Sequence, residues 1–144
     1  MASIKKTGNS EIDKQHSIMQ DCLADLASHC DGHSDPAALL AALDVLFGYA
    51  EWHFTFEERL LERAKYPHLD EHVAEHRAII GQLENLRGKL ASGNKDAARL
   101  IAMINHWIVD HVNHEDGKAA GYLGDDQSAA KASSRPALSE LPRL

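Results

Sequence analysis

Four stretches of this sequence repeat their apolar residues at alternating intervals of three and four. That interval keeps one face of an α-helix buried, and no stretch shows the strict alternation of a strand. The first series is Ile12, His16, Met19, Leu23, Leu26 and Cys30; the second is Leu39, Leu43, Leu46, Ala50, His53, Glu57, Leu60 and Ala64. The third is Leu69, His72, His76, Ile79, Leu83, Leu86 and Leu90, and the fourth places Leu100, Ile104, Trp107 and His111 inward. Helices are expected over 12–30, 36–65, from Tyr66-Pro67 to 91, and over 95–122. Asp35 is placed to cap the second helix with Pro36 at its first position, and Ser92-Gly93-Asn94 separates the last two. Long helices joined by short breaks predict an all-α, up-down-up-down antiparallel four-helix bundle. The bundle is expected over 12–123, with an N-terminal arm at 1–11 and an aperiodic, Ser- and Ala-containing tail or linker at 124–144.

Six of the inward positions hold polar side chains where leucine is expected: His16, His53, Glu57, His72, His76 and His111. Unpaired, each costs on the order of 1–3 kcal/mol to bury. A shared metal centre removes that cost for all of them together. His53 and Glu57, like His72 and His76, are spaced i, i+4, so each pair lies on one face of its helix. An acid near His111 belongs to the same group, but periodicity does not choose it. Asp116 lies about 140° further round a regular helix than His111, and the next seam position is Glu115. Five imidazoles and two carboxylates are too many for one tetrahedral zinc. They suit a pair of ions, with imidazole for iron, copper, nickel or zinc and carboxylate as a bridge, leaving one coordination position free.

Other signals carry less. With 144 residues and a net charge of −7, the chain makes one domain whose charge argues against nucleic acid and anionic membrane. No apolar run reaches transmembrane length, and the N-terminus lacks the apolar region of a signal peptide, so a cytoplasmic location is expected. Cys22 and Cys30 are about 12 Å apart along one helix, too far for a disulfide, and read as small core residues in a reducing compartment. His72-Val73-Ala74-Glu75-His76 matches a zinc-peptidase pattern with Glu75 as general base, but that reading leaves His16, His53, Glu57 and Asp116 unexplained. His29, His33, His106 and His114 read as surface histidines.

Taken in order, Ile12-Asp13-Lys14-Gln15-His16, then His53-Phe54-Thr55-Phe56-Glu57-Glu58, then Tyr66-Pro67 with His72-Val73-Ala74-Glu75-His76, and finally Trp107-Ile108-Val109-Asp110-His111-Val112-Asn113-His114-Glu115-Asp116 resemble the hemerythrins. The likeness is to their bacterial single-domain and sensor-domain members and runs from Thr7 to about Leu123. It selects Asp116 over Glu115 and His111 over His114, and passes over His68. No tryptophan precedes Ile12, although many bacterial relatives carry one in the N-terminal arm.

The resemblance implies a non-haem di-iron centre that binds dioxygen reversibly. One iron would take His72, His76 and His111, and the other His16 and His53 with an open position. Glu57, Asp116 and an oxo or hydroxo group would bridge them. Met19, Phe54, Trp107, Ile108 and Val112 would wall the open side, and anions such as azide would compete there. A histidine-rich site favours binding over oxidative turnover, so a carrier, store or sensing domain is expected rather than an enzyme. Redox sensing through an attached or partner signalling domain, and a di-iron peroxidase or oxidase, are the alternatives.

Overall fold

The computed structural model describes residues 4–30, 35–92 and 97–123. Within them the chain forms α1 (Ser10–Ser28), α2 (Pro36–Arg63), α3 (Leu69–Ala91) and α4 (Ala97–His111), followed by a π-helical turn (Val112–Asp116) and a short α5 (Gly117–Ala120). Each long helix packs on the one before it, and α4 closes onto α1. Cross-contacts run in opposite order along neighbours: Asp44 meets Arg87 and Glu58 meets His76 between α2 and α3. The architecture is the expected antiparallel four-helix bundle. No helix among the described residues is long and apolar enough to cross a membrane. The tail expected at 124–144 lies outside the described residues.

Local chemistry explains where the helices start and stop. Asn9 caps α1, accepting a 3.0 Å bond from the Ile12 amide, so the helix begins two residues before the position read from its apolar series. Both the amide and the hydroxyl of Thr7 donate to Asp13 at 2.7 Å, which folds the preceding arm back onto the helix. Asp35 caps α2, with Pro36 in its first turn, as its sequence indicates. That helix ends in a Schellman motif: the Tyr66 amide donates to the Leu61 carbonyl at 3.0 Å and the Lys65 amide to that of Glu62 at 3.1 Å. Tyr66 and Leu61 also pack together in one apolar cluster, the hydrophobic contact that accompanies this cap.

The main core fills the bundle from Cys22, Leu26, Leu43 and Leu86 up to Met19, Phe54, Ile108 and Val112. A second, smaller cluster of Leu61, Tyr66 and Ala119 closes the opposite end. The buried polar cluster described below lies between them. Arg87 grips Asp44 through Nε at 2.7 Å and pins α2 to α3 away from that cluster. Cys22 is buried and Cys30 is half-buried, and neither is in a disulfide. Burial, with Asp21 and Asp25 nearby, pushes the Cys22 thiol up to about 11, so it stays protonated at neutral pH.

One seam differs from its expected register. Trp107 is 40% exposed, whereas Ile101, Ile104 and Ile108 are buried. The inward face of α4 is centred on those isoleucines, and Trp107 stands about 100° from Ile108, at the margin of the face. There it lines a shallow groove with Gln82, Asn85 and Met103.

Lys65 has φ of 56°, in the left-handed region that the Schellman cap requires and that glycine adopts more readily. Lys65→Gly is therefore expected to stabilise the fold by about 0.5–1 kcal/mol, the relief of left-handed strain net of glycine's greater unfolded-state entropy. Thermal unfolding should register this as a rise of roughly 2–4 °C in Tm; an unchanged or lower Tm would show that the backbone there is unstrained.

Candidate metal centre

All four long helices and the π-turn contribute to one buried cluster. His16 comes from α1, His53 and Glu57 from α2, His72 and His76 from α3, His111 from the end of α4, and Asp116 from the π-turn. Each is no more than 2% exposed. The seven fall into two overlapping groups, Glu57 with His72, His76, His111 and Asp116, and His16 with His53, Glu57 and Asp116. Within each group the ligating atoms all lie within 4.8 Å of one another.

The two carboxylates belong to both groups and divide their oxygens between them. Asp116 Oδ1 lies 2.8 Å from His111 Nε2 and 3.0 Å from His72 Nε2, while its Oδ2 lies 2.9 Å from His16 Nε2. Glu57 Oε1 lies 2.5 Å from His72 Nε2 and 3.2 Å from His76 Nε2, while its Oε2 faces His53 Nε2 at 3.8 Å. His76 Nε2 and His111 Nε2 stand only 3.1 Å apart. His53 Nε2 and Glu57 Oε2 are buried without a hydrogen-bond partner. Such a convergence of lone pairs fits cations on both sides of the carboxylate pair: a three-histidine position and a two-histidine position.

The π-turn accounts for Asp116. At the spacing of a regular α-helix, the fifth residue after His111 points well away from it. The wider i→i+5 winding over Val112–Asp116 brings Asp116 back onto the buried face. Asp116 is 2% exposed, and Glu115 is only half-buried. Periodicity counted at 3.6 residues per turn could not reveal this, because the turn itself departs from that period.

Burial drives the His53 imidazole down to about 3, with the neighbouring His16 adding to the effect. Burial also opposes charge on His72 and His111. Hydrogen bonds from His72 to Asp116 and Glu57 nonetheless raise it to about 10, and the charge and hydrogen bond of Asp116 raise His111 to about 9. Asp116 is held well below the carboxylate range: burial opposes its ionisation, but His111, His16 and His72 outweigh it. Glu57 is lowered too, its bonds to His72 and His76 overcoming burial and the charge of Asp116. The site thus stabilises two negative charges and compensates them with protons, which incoming cations must displace.

Residues behind the ligands hold the rings of His53 and His76 in place, and a further carboxylate stands near that of His111. The Nδ1 of His53 lies 2.7 Å from Gln15 Oε1, that of His76 lies 2.9 Å from Glu58 Oε1, and that of His111 lies 3.2 Å from Glu75 Oε1. With Nδ1–H directed outward, Nε2 offers its lone pair to the centre. Sequence reasoning did not pick out Gln15 or Glu58, because these contacts cross between helices. Their one signal in the sequence is adjacency to His16 and Glu57. Glu75 stands behind His111, not at a peptidase-like metal site. Met19, Phe54, Ile108 and Val112 are buried, and Phe54 stacks on His76 at 4.0 Å between ring centroids; Trp107 lies outside this group. His68, His106 and His114 are exposed, and His29 is half-buried. His33 lies outside the described residues.

A four-helix bundle with a buried histidine–carboxylate cluster divided into two cation positions defines the class: a helical protein that binds metal in its own core. The chain belongs to the hemerythrin family, since the family described as "Hemerythrin HHE cation binding domain" matches residues 7–123. It is 28% identical to a bacteriohemerythrin of Pseudomonas aeruginosa over 117 residues, 81% of this chain and 74% of that protein. It is 30% identical to a bacteriohemerythrin of Stenotrophomonas maltophilia over 76% of this chain and 71% of that one. A myohemerythrin of Riftia pachyptila is 28% identical over 78% of this chain and 82% of its own length. A crystallised hemerythrin variant shares the fold, with a TM-score of 0.73 at 24% identity over 85% of this chain and 98% of that one.

Metal should therefore stabilise the fold. With free metal about a thousandfold above its Kd, mass action contributes about 4 kcal/mol for each cation held, or roughly 10 °C in Tm per cation for a chain of this length. Calorimetry of chelator-stripped and reloaded protein should show that gap, and coincident melting curves would show that the folded chain binds no metal in preference to the unfolded one.

Proposed function

We propose that this protein binds dioxygen reversibly at a non-haem di-iron centre. His72, His76 and His111 would hold one iron and His16 and His53 the other, with Glu57 and Asp116 shared between them and an oxo or hydroxo group completing the pair. The observation that carries this reading is the division of the two carboxylates: Asp116 Oδ1 faces His72 and His111 and Glu57 Oε1 faces His72 and His76, while their other oxygens face His16 and His53. Unequal histidine counts leave a coordination position free on the two-histidine side. When bound, the iron pair supplies two electrons to dioxygen and recovers them on release.

The chain's own residues favour release over turnover. Five neutral imidazoles leave more positive charge at the metals than the glutamate-rich sites of di-iron enzymes do, which stabilises the reduced pair. Met19, Phe54, Ile108 and Val112 supply an apolar surround without a proton donor. Keeping water and protons out slows irreversible reduction of the bound gas. Trp107, expected in the same wall, is 40% exposed at the margin of the buried face of α4. Small anions such as azide compete for the open position once the pair is oxidised.

Two experiments test this reading. Protein produced with iron available should contain about two irons per chain, the number implied by seven ligands of this type. Once reduced without air, it should gain a visible diferric band on exposure to oxygen and lose it when oxygen is removed. A single zinc ion, or a reduced spectrum indifferent to oxygen, would refute the proposal. The ligand assignment is tested separately. Asp116→Ala removes a bridge from both positions and should cut iron content at least tenfold, whereas Glu115→Ala should leave it unchanged. The reverse result would reassign the bridge.

A further inference from the structure

The two metal positions differ in what stands behind their histidines. On the three-histidine side, His76 donates through Nδ1 to a carboxylate, Glu58, at 2.9 Å. A second carboxylate, Glu75, lies 3.2 Å from His111 Nδ1. On the two-histidine side, His53 donates to the neutral amide oxygen of Gln15 at 2.7 Å. Gln15 is fully buried, and its own amide nitrogen donates to Glu11 Oε1 at 3.2 Å, one turn earlier on α1. A carboxylate at position 15 would meet Glu11 with no proton between them, so the geometry of α1 enforces a neutral acceptor there. On the other side Phe54 stacks on the His76 ring at 4.0 Å between centroids.

An imidazole whose N–H points at a negative charge becomes a stronger donor at its other nitrogen, and an amide oxygen polarises it less. We infer that Glu58 and Gln15 are positioning residues that grade the two cation sites, making the three-histidine position tight and the two-histidine position weaker and exchangeable. The inference rests on the paired-metal reading and adds to the difference in ligand number. It keeps the cation with the open position the more electron-poor of the two.

Titration of the metal-free, full-length protein with cobalt(II), followed by visible absorption and calorimetry, tests it. The wild-type chain should take up two ions in two resolved steps. His16→Ala, which strips the two-histidine position, should retain only the tight step and so assign it. Glu58→Gln keeps an acceptor oxygen and removes only the charge. It should weaken the tight step about tenfold and leave the weak one unchanged, and Glu58→Asp should recover part of the loss. Gln15→Met should weaken only the second step. If Glu58→Gln fails to fold, Glu75→Gln, at a partly exposed side chain, should produce a smaller loss in the same tight step. A tight step unaltered by loss of charge, or both steps weakened equally, overturns the grading. Fewer than two cobalt ions on the wild-type chain overturns the metal pair itself, an outcome seen in stoichiometry rather than in any variant.

Discussion

Seven ionisable side chains share the interior of a bundle whose other buried residues are mostly apolar. Taking any one of them out of water alone is unfavourable by an amount comparable to a sizeable share of a domain's net stability. They are tolerated because they face each other: two carboxylates stand between two sets of imidazoles, and each group offsets the desolvation of the next. Protons balance the cluster when metal is absent, and cations balance it when metal is present. The large apolar core on one side and the Leu61, Tyr66 and Ala119 plug on the other isolate this exchange from solvent.

Backbone devices put the ligands where that balance is possible. Capping by Asn9 and Asp35 sets the start of α1 and α2. The Schellman turn at Lys65 reverses the chain within a few residues, so that the α2 pair, His53 and Glu57, meets the α3 pair, His72 and His76. Tyr66, placed by that turn, stands edge-on to His72 at 6.2 Å. At the far end the π-turn spends one extra residue to bring Asp116 into line with His111. The arm before α1 reaches the same turn, where the Lys5 amide donates to Asn113 at 2.7 Å, so the chain's first described residues brace the segment that carries a shared carboxylate.

The centre is uneven by construction. Three histidines face one side of the carboxylate pair and two face the other. The hydrogen bonds behind them differ in the same sense, carboxylate against amide. Gln15 also ties this difference to secondary structure, because its partner Glu11 is its i, i−4 neighbour on α1.

Much of this was legible in the sequence, because helical periodicity and ligand chemistry are local properties. Interrupted leucine series determined four helices, and histidines standing in leucine positions determined that the core holds metal. The motif order tied the chain to its family. The same motif pattern selected Asp116 over Glu115, but the route by which Asp116 enters the core, and two further features, were decided only by the folded structure. Trp107 sits on the periodic series yet turns outward, because the face of α4 that is buried depends on where α1 and α3 lie. Asp116 reaches the cluster through a π-turn, a local departure from the period on which any count along the helix relies. Gln15 and Glu58 act through hydrogen bonds between helices distant in sequence, and such contacts exist only once the bundle has set the helices in register.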